Sequence, residues 1–186
     1  MPKIPLSNRE ALYPVPCVLV SCRDGETGRR NIITVAWCGV ASSKPPILYV
    51  SIRPSRLSHA MIKKSRDFVI NVPTLELLKE VDLCGTVSGS KVDKFDSFGL
   101  HEEAPAVVGS PLIKECPVNI ECRLKEIVSL GSHDMFLGEV VRVHAESGLL
   151  NKDNTIDYGK ARPIIYNQGE YWGLENRLGA YGFSRS

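Results

Sequence analysis

Two long stretches in the second half of the chain alternate between apolar and polar residues, and they constrain the fold more than any other feature. They run from Val118 to Val128 and from Met135 to His144. Alternation with a period of two is typical of a strand that buries one face. The segment between them, Leu130-Gly-Ser-His-Asp134, contains turn-forming residues. We therefore predict an antiparallel hairpin built from these two stretches.

Shorter apolar segments bounded by glycine, proline or aspartate predict four further strands. They are Val15–Cys22, Asn31–Ala41, Ile47–Ile52 and Phe68–Val72. The loop Asp24-Gly-Glu-Thr-Gly28 predicts a hairpin between the first two of them. Six strands in one chain favour a closed or nearly closed antiparallel β-barrel, because closure removes exposed strand edges.

Two short helices are predicted between these strands. Ser55 is a suitable N-cap for a helix over residues 56–64, in which Leu57, Ala60 and Met61 follow the spacing of one buried face. A second helix is predicted from Thr74 to a stop at Cys84-Gly85. The chain is thus expected to be mostly β with a few short α-helices.

The size and charge of the chain limit the class of protein that it can be. With 186 residues, 43% of them hydrophobic, it can bury a sizeable core, and we expect one domain over residues 1–186. Its 23 basic residues are scattered among 21 acidic ones, which argues against a nucleic-acid partner. No apolar run approaches the roughly 20 residues that span a bilayer. We therefore expect a cytoplasmic protein without a membrane or nucleic-acid partner.

The six cysteines do not have the spacing of a metal site. They occupy positions 17, 22, 38, 84, 116 and 122, and no C-x-x-C pair occurs. Structural zinc sites and thioredoxin-like centres need such close pairs. We expect no metal site, and we expect Cys17 and Cys38 to be small buried apolar residues in a reducing compartment.

Residues that could bind a phosphate group cluster at the third predicted strand and the helix after it. A helix N-terminus attracts anions because it presents unpaired N–H groups and about half a positive charge. Ser55 and Ser58 add hydroxyl groups, and Arg53 adds a guanidinium that can bind two phosphate oxygens. The alternative is that Ser55 only caps the helix, Ser58 faces water and Arg53 is an ordinary surface charge.

Asn31 and Trp37 could line a site for a flat heterocycle. Their separation is even, so on one continuous strand both side chains face the same way. An amide and an indole on one face could hydrogen-bond and cover such a ring. The alternative is a tryptophan at the mouth of a barrel and an asparagine that closes a turn.

Motifs of several other enzyme classes are missing from the sequence. Gly85-Thr-Val-Ser-Gly-Ser-Lys91 lacks P-loop spacing, and no G-x-G-x-x-G supports a Rossmann site. No G-x-S-x-G occurs either, and His133 and Asp134 are neighbours that would point to opposite faces of a strand. Hydrolase chemistry therefore has no supporting motif.

Six motifs occur in order along the chain: Asn31-x-x-Thr34-x-Ala36-Trp37, Ser-x-Arg-Pro-Ser-Arg at 51–56, Phe-Val-Ile-Asn at 68–71, Cys84-Gly-x-x-Ser88-Gly89, Asp93-Lys94-Phe95 and Gly131-Ser-His133-Asp134-x-Phe136-x-Gly138-Glu139-Val140. Together they resemble the flavoredoxin and flavin-reductase-like family of FMN-binding split barrels. The resemblance extends from about Pro14 to Trp172. It implies a six-stranded antiparallel split β-barrel of Greek-key topology, which pairs as a homodimer with FMN near the subunit interface.

The resemblance also implies which residues bind the cofactor. They are Asn31, Thr34, Trp37, Ser51, Arg53, Ser55, Ser58, Asn71, Ser88, Gly89, Lys94, Phe95, His133 and Tyr166. Ser58 stands where the family often has threonine, and Tyr166 stands where phenylalanine also occurs. The resemblance suggests catalytic roles for Lys94 and His133, which could stabilise a reduced flavin or donate a hydrogen bond at its edge. Alternatively, Lys94 is a solvated charge and His133 a turn residue.

The function implied by the resemblance is that of an FMN-dependent oxidoreductase. Electrons would come from NAD(P)H or a redox-protein partner and pass to flavin or another acceptor, as in a flavin reductase or a flavoredoxin-type carrier. One alternative is a non-catalytic FMN-binding or storage protein. Another is a split barrel that binds haem or a different planar ligand, but Arg53, Ser55 and Ser58 argue against a ligand without phosphate.

Overall fold

The computed structural model of the protein describes residues 1–185, and its secondary structure is mostly β. The strands are β1 (Val15–Pro16), β2 (Val18–Arg23), β3 (Arg30–Val35), β4 (Cys38–Ser43), β5 (Pro46–Ile52), β6 (Asp67–Val72), β7 (Glu102–Glu103), β8 (Leu112–Ile113), β9 (Val118–Ser129), β10 (Asp134–Ala145), β11 (Ile164–Asn167) and β12 (Glu170–Gly173). The α-helices are α1 (Leu57–Ser65), α2 (Leu78–Thr86), α3 (Lys94–Phe98) and α4 (Tyr158–Ala161), and 3₁₀ helices occur at Leu75–Leu77, Ser147–Leu149 and Phe183–Arg185. Within residues 1–185, none of the helices has the length and hydrophobicity needed to cross a membrane.

The frame of the molecule is a seven-stranded antiparallel sheet in the order β3-β2-β6-β9-β10-β5-β4. Strands β3 and β4 lie at its opposite edges, although only Ala36 and Trp37 separate them in the chain. So short a connection requires the sheet to curve until its two edges approach each other, as in a barrel. The backbone N–H of Ser51 on β5 donates to the carbonyl oxygen of Trp37 at 2.8 Å and fixes this connection.

The prediction of a mostly β, antiparallel fold is confirmed, but the count of six strands is not. The predicted strand Asn31–Ala41 is interrupted at Ala36 and Trp37, where the N–H of Cys38 donates to the carbonyl of Ala36 at 3.0 Å. The two halves become β3 and β4, and the sheet gains a seventh strand. Both predicted hairpins are present, since β2 pairs with β3 and β9 pairs with β10.

The helix boundaries differ from the predictions. Helix α1 begins at Leu57, its N-cap position is Arg56, and no side chain caps it. The prediction that Ser55 is the N-cap is therefore wrong. The second predicted helix is divided into the 3₁₀ helix at Leu75–Leu77 and α2, which continues past Gly85 to Thr86.

Strand β2 is buried on both faces, and this arrangement positions the helices. Val18 and Val20 pack in one core cluster with Met61 of α1, whereas Leu19 packs in a second cluster with Phe95 of α3. Because neighbouring residues of a strand point to opposite faces, α1 lies on one side of β2 and α3 on the other. The six cysteines are buried and form no disulfide, as expected for Cys17 and Cys38.

A second, three-stranded sheet in the order β1-β11-β12 supplies aromatic residues to the rim of the frame. Tyr166 on β11 is paired with Val15 of β1 and with Tyr171 of β12. The ring of Tyr166 lies 6.1 Å from that of Trp37, measured between centroids. The smaller sheet thereby reaches the connection between β3 and β4.

Candidate functional site

The candidate site is a cleft made of two adjoining cavities. The wider cavity, which we call the ring end, has a volume of about 320 Å³ and is lined by Trp37, Arg53, His133 and Tyr166 among others. The narrower one, the phosphate end, has about 80 Å³ and lies between the start of α1 and the loop after α2. Residues Ile33, Arg56 and Gly85 line both cavities, so the two are continuous.

The lining of the phosphate end is suited to an anion. Its charged residues are Arg56 and Lys94, and its described lining contains no acidic residue. Ser55 and Ser88 add hydroxyl groups to the same wall. Because no side chain caps α1, the first N–H groups of this helix also remain available to a ligand. Of the three residues predicted to bind a phosphate at the start of this helix, only Ser55 lines this end, whereas Arg53 lines the ring end and Ser58 lines neither cavity.

Lys94 is a buried cation, only 3% exposed. Its Nζ donates to the carbonyl oxygen of Cys84 at 2.6 Å, and within residues 1–185 no carboxylate forms an ion pair with it. Burial lowers the pKa of Lys94, the Cys84 thiol opposes this effect, and the positive charge of Arg56 lowers the pKa further. An anion bound between these two cations would therefore stabilise the charged form of Lys94.

Asn31 carries a buried acceptor that the protein does not satisfy. The side chain is 3% exposed, and its Nδ2 donates to Ser58 Oγ at 2.8 Å, whereas Oδ1 has no hydrogen-bond partner among the described residues. An unpaired buried acceptor costs about 1–3 kcal/mol. A phosphate dianion has no proton to donate and cannot satisfy Oδ1, whereas a hydroxyl group, an N–H group or a water molecule can.

Gly89 faces Asn31 at very short range. A Cβ atom at position 89 would lie 2.0 Å from Asn31 Oδ1, closer than any real contact. Gly89 is itself buried and lines the phosphate end. The loop after α2 therefore needs glycine at this position to approach Asn31.

Aromatic rings surround the ring end. The rings of Trp37 and His133 are nearly parallel, with an interplanar angle of 7° and centroids 6.2 Å apart. Tyr166 is tilted by 46° against Trp37. Tyr171 completes the wall, and its hydroxyl donates to Asp82 Oδ1 at 3.2 Å. A planar ligand could stack or pack against these faces.

His133 lies beside a fixed positive charge. Burial lowers its pKa, and the guanidinium of Arg53 lowers it further. The Nδ1 atom lies 2.9 Å from Ser132 Oγ. The neutral imidazole therefore predominates at neutral pH, and it can donate or accept a hydrogen bond at the cleft.

The structure brings most of the predicted site residues together. The ring end contains Thr34, Trp37, Ser51, Arg53, His133 and Tyr166, and the phosphate end contains Asn31, Ser55, Ser88, Gly89 and Lys94. The hydroxyl of Thr34 is engaged, because it donates to the carbonyl oxygen of Val81. Asn31 and Trp37 do not share a strand face as predicted, since β3 ends at Val35 before Trp37.

Three predicted residues do not line the cleft. Ser58 is fully buried and supports Asn31 from behind. Asn71 holds a buried network in which its Oδ1 accepts from the N–H of Ile113 and from Asn119. Phe95 belongs to the core cluster beneath the cleft, with the guanidinium of Arg30 4.8 Å above its ring. Their positions indicate support of the site rather than contact with a ligand.

Sequence reasoning missed several lining residues. Arg56, Thr86, Tyr171 and Cys17 all contribute to the ring end. Arg56 could have been found, because it directly follows Ser55 at the start of the predicted helix. Tyr171 could not, because it reaches the cleft through the pairing of β11 with β12, which no local pattern reveals.

Comparisons with known proteins show the family of the chain. The family profile described as "Flavin reductase like domain" matches residues 10–175, which is most of the chain. The protein belongs to the flavin reductase-like family. A curated relative, "FMN reductase (NADH) RutF" of Stutzerimonas stutzeri, is 30% identical over 121 residues, covering 65% of this chain and 67% of that protein.

Solved structures show the same architecture over nearly the whole chain of this flavin reductase-like protein. "Flavoredoxin of Desulfovibrio vulgaris (Miyazaki F)" superposes with a TM-score of 0.92 at 30% identity, covering 99% of this chain and 100% of that one. An FMN-binding protein from Thermus thermophilus, crystallised with bound 1-cyclohex-2-enone, superposes with a TM-score of 0.80 at 27% identity, covering 97% of each chain. These relatives support a flavin-related oxidoreductase in general.

FMN fits the residues present in the cleft. The unpaired Asn31 Oδ1 requires a donor, and the ribityl chain of FMN carries hydroxyl groups. The phosphate end offers two cations without an acid, which matches a phosphate dianion. The ring end offers aromatic faces and room for a planar heterocycle. The donor set, the charge and the shape therefore agree with one molecule.

Proposed function

We propose that this protein binds FMN in the cleft and works as a flavin reductase-like oxidoreductase or a flavoredoxin-type electron carrier. Electrons would come from NAD(P)H or from a redox protein and pass to flavin or another acceptor. The observation that carries the proposal is the buried, unpaired Asn31 Oδ1 in an acid-free phosphate end that is continuous with an aromatic ring end. Family membership supports it independently.

The residues of the phosphate end would hold the cofactor. Arg56 and Lys94 would neutralise the phosphate, and Ser55 and Ser88 would donate hydroxyl hydrogen bonds to it. Asn31 would accept from a ribityl hydroxyl. Gly89 leaves the space that the ribityl chain needs, since any larger side chain at position 89 would collide with the Asn31 amide.

The residues of the ring end would orient the cofactor and control the approach of a second reactant. Bound FMN supplies the electron-transfer chemistry, and the protein supplies position and electrostatics. Arg53 places a positive charge beside the ring end, where it favours negative charge on the ligand. Neutral His133 can donate a hydrogen bond there, and the half-exposed Trp37, at 40% exposure, lies where a reactant would enter.

Binding of FMN and riboflavin to an Arg56→Ala variant tests this assignment. Riboflavin lacks the phosphate, so the variant should weaken FMN binding about 10-fold more than it weakens riboflavin binding. Arg123→Ala is the matched control, because Arg123 is equally exposed but lies on β9 outside the cleft. Equal losses for both ligands, or no loss for FMN, would contradict the proposed orientation.

We also propose that the protein is a homodimer with FMN near the subunit interface and that a redox protein is among its partners. Large apolar side chains at both ends of the chain support an interface, for example Leu12 at 86% and Leu178 at 97% exposure. Sedimentation equilibrium should give twice the mass of one chain. A single-chain mass at micromolar concentration would contradict the dimer.

A further inference from the structure

A second basic cavity lies next to the phosphate end. This outer groove has a volume of about 190 Å³ and is lined by Arg29, Arg30, Ser90, Lys91, Val92 and Asp93. We propose that the outer groove binds a second phosphoryl group, one belonging to a dinucleotide whose flavin or nicotinamide part reaches the cleft. The inference rests on the proposed function, because it extends the same cleft beyond the single phosphate of FMN.

Two positive charges in the outer groove are not compensated. Arg30 is paired with three carboxylates, those of Asp93, Asp96 and Glu102, so it has no free positive charge for a ligand. Asp93, the acidic residue of this lining, is also engaged, because its Oδ1 accepts from the backbone N–H groups of Phe95 and Asp96 and its Oδ2 pairs with Arg30. Arg29 and Lys91 are exposed, and the ion pairs of residues 1–185 include neither of them. An anionic ligand would complete this charge set.

The peptide of Gly89 separates the outer groove from the phosphate end. On one side Gly89 faces Asn31 and lines the phosphate end. On the other side its carbonyl oxygen accepts from Arg29 Nη2 at 2.7 Å, and Arg29 lines the outer groove. The two cavities are therefore one residue apart, which suits phosphoryl groups that belong to one molecule or to two molecules in contact.

Two hydroxyl groups in hydrogen-bond contact connect the two cavities. Ser88 lines the phosphate end, Ser90 lines the outer groove, and their Oγ atoms are 2.8 Å apart. Arg29 uses Nη2 for Gly89 and retains other N–H donors for a phosphate. Lys91 adds a mobile point charge. FMN leaves this set unused, whereas FAD carries a second phosphate and NADPH carries three.

Substitution of Lys91 tests the outer groove, because this exposed residue lines neither the ring end nor the phosphate end. Dissociation constants of FMN and FAD are measured by flavin fluorescence for wild type, Lys91→Ala and Lys91→Glu at one fixed ionic strength. Titration calorimetry with NADP⁺ and NAD⁺ follows on the FMN-loaded protein. Lys152→Ala is the matched control, because Lys152 is also an exposed lysine and lies in a turn that lines none of the three cavities.

If the second phosphoryl group is that of FAD, Lys91→Ala should weaken FAD binding about 5-fold and Lys91→Glu about 20-fold, with FMN binding changed less than 2-fold. If it belongs to the nicotinamide nucleotide, the same losses should appear for NADP⁺ or NAD⁺ instead. Unchanged binding of FAD, NADP⁺ and NAD⁺ in both variants overturns the inference, and so does an equal loss for FMN and FAD. A wild-type protein that binds no flavin refutes the proposed function itself, which is a different result.

Discussion

Replacement of Gly89 by alanine should block the cofactor site by a steric mechanism. The added Cβ would lie 2.0 Å from Asn31 Oδ1, 2.6 Å from its Cγ and 2.9 Å from its Nδ2. Ordinary contact begins at 3.4 Å, so either the amide or the loop after α2 must move by about 1.4 Å. The Asn31 amide cannot move alone without losing its 2.8 Å hydrogen bond to Ser58.

The size of the effect follows from the cost of such overpacking. Inserting a methyl group into a packed site costs about 1–3 kcal/mol, and loss of one hydrogen bond adds about 1 kcal/mol. If the loop is displaced, this energy appears as weaker cofactor binding. These costs add to about 2–4 kcal/mol, so we expect the dissociation constant of FMN to rise about 30- to 700-fold in Gly89→Ala. Isothermal titration calorimetry with FMN measures it directly.

A double substitution separates the clash from other effects. In the Asn31→Ala background the amide is absent, so adding Gly89→Ala should weaken FMN binding by less than about 3-fold further. Gly148→Ala is the control, because a Cβ at position 148 would meet nothing within 4 Å. Wild-type FMN affinity in Gly89→Ala, or the same loss in both backgrounds, would refute the reasoning.

The remaining predictions concern stability. Burial raises the pKa of Glu121, but hydrogen bonds from His144 and from three backbone N–H groups outweigh it and lower the pKa to about 2. This carboxylate therefore contributes stability that is fully present above its ordinary pKa of 4.5 and is lost as the pH falls towards 2. Glu121→Gln should lower the free energy of unfolding by about 2–4 kcal/mol at pH 7, and its free energy of unfolding, measured with urea, should depend less on pH between pH 5 and 3. An unchanged dependence on pH would contradict this. Asp134→Asn should lower the free energy of unfolding by about 1–3 kcal/mol, because it breaks the largely buried 2.7 Å contact of Asp134 Oδ2 with His59 Nε2. A melting temperature within 1 °C of wild type would contradict this prediction.

Local patterns in the sequence were sufficient to predict the large hairpins and the first helix. The alternation in β9 and β10 and the apolar spacing in α1 are local properties, so they can be recognised without knowledge of the fold. The break at Ala36 and Trp37 was not recognisable, because residues 31–41 contain neither proline nor a turn pair at the break. It lies where the chain crosses from one edge strand of the sheet to the other, and that position depends on the order of all seven strands.

Some residues of the candidate site could likewise be predicted from local sequence, and others could not. Ser55 and Arg53 lie next to a predicted helix start, and both are found in the cleft. Asn71 belonged to a matching motif, but its side chain serves a buried network between β6 and β9. The contribution of Tyr171 depends on a strand pairing across the smaller sheet. The resemblance identified most residues of the cleft, and only the structure separated lining residues from supporting ones.

The most direct test of the central claim is the visible absorption spectrum of the freshly purified protein, with identification of the chromophore released on denaturation. We predict a flavin spectrum and release of a phosphorylated flavin, or uptake of added FMN with a shifted spectrum if the protein is purified without it. A colourless protein that leaves the spectrum of added FMN unchanged would contradict the account.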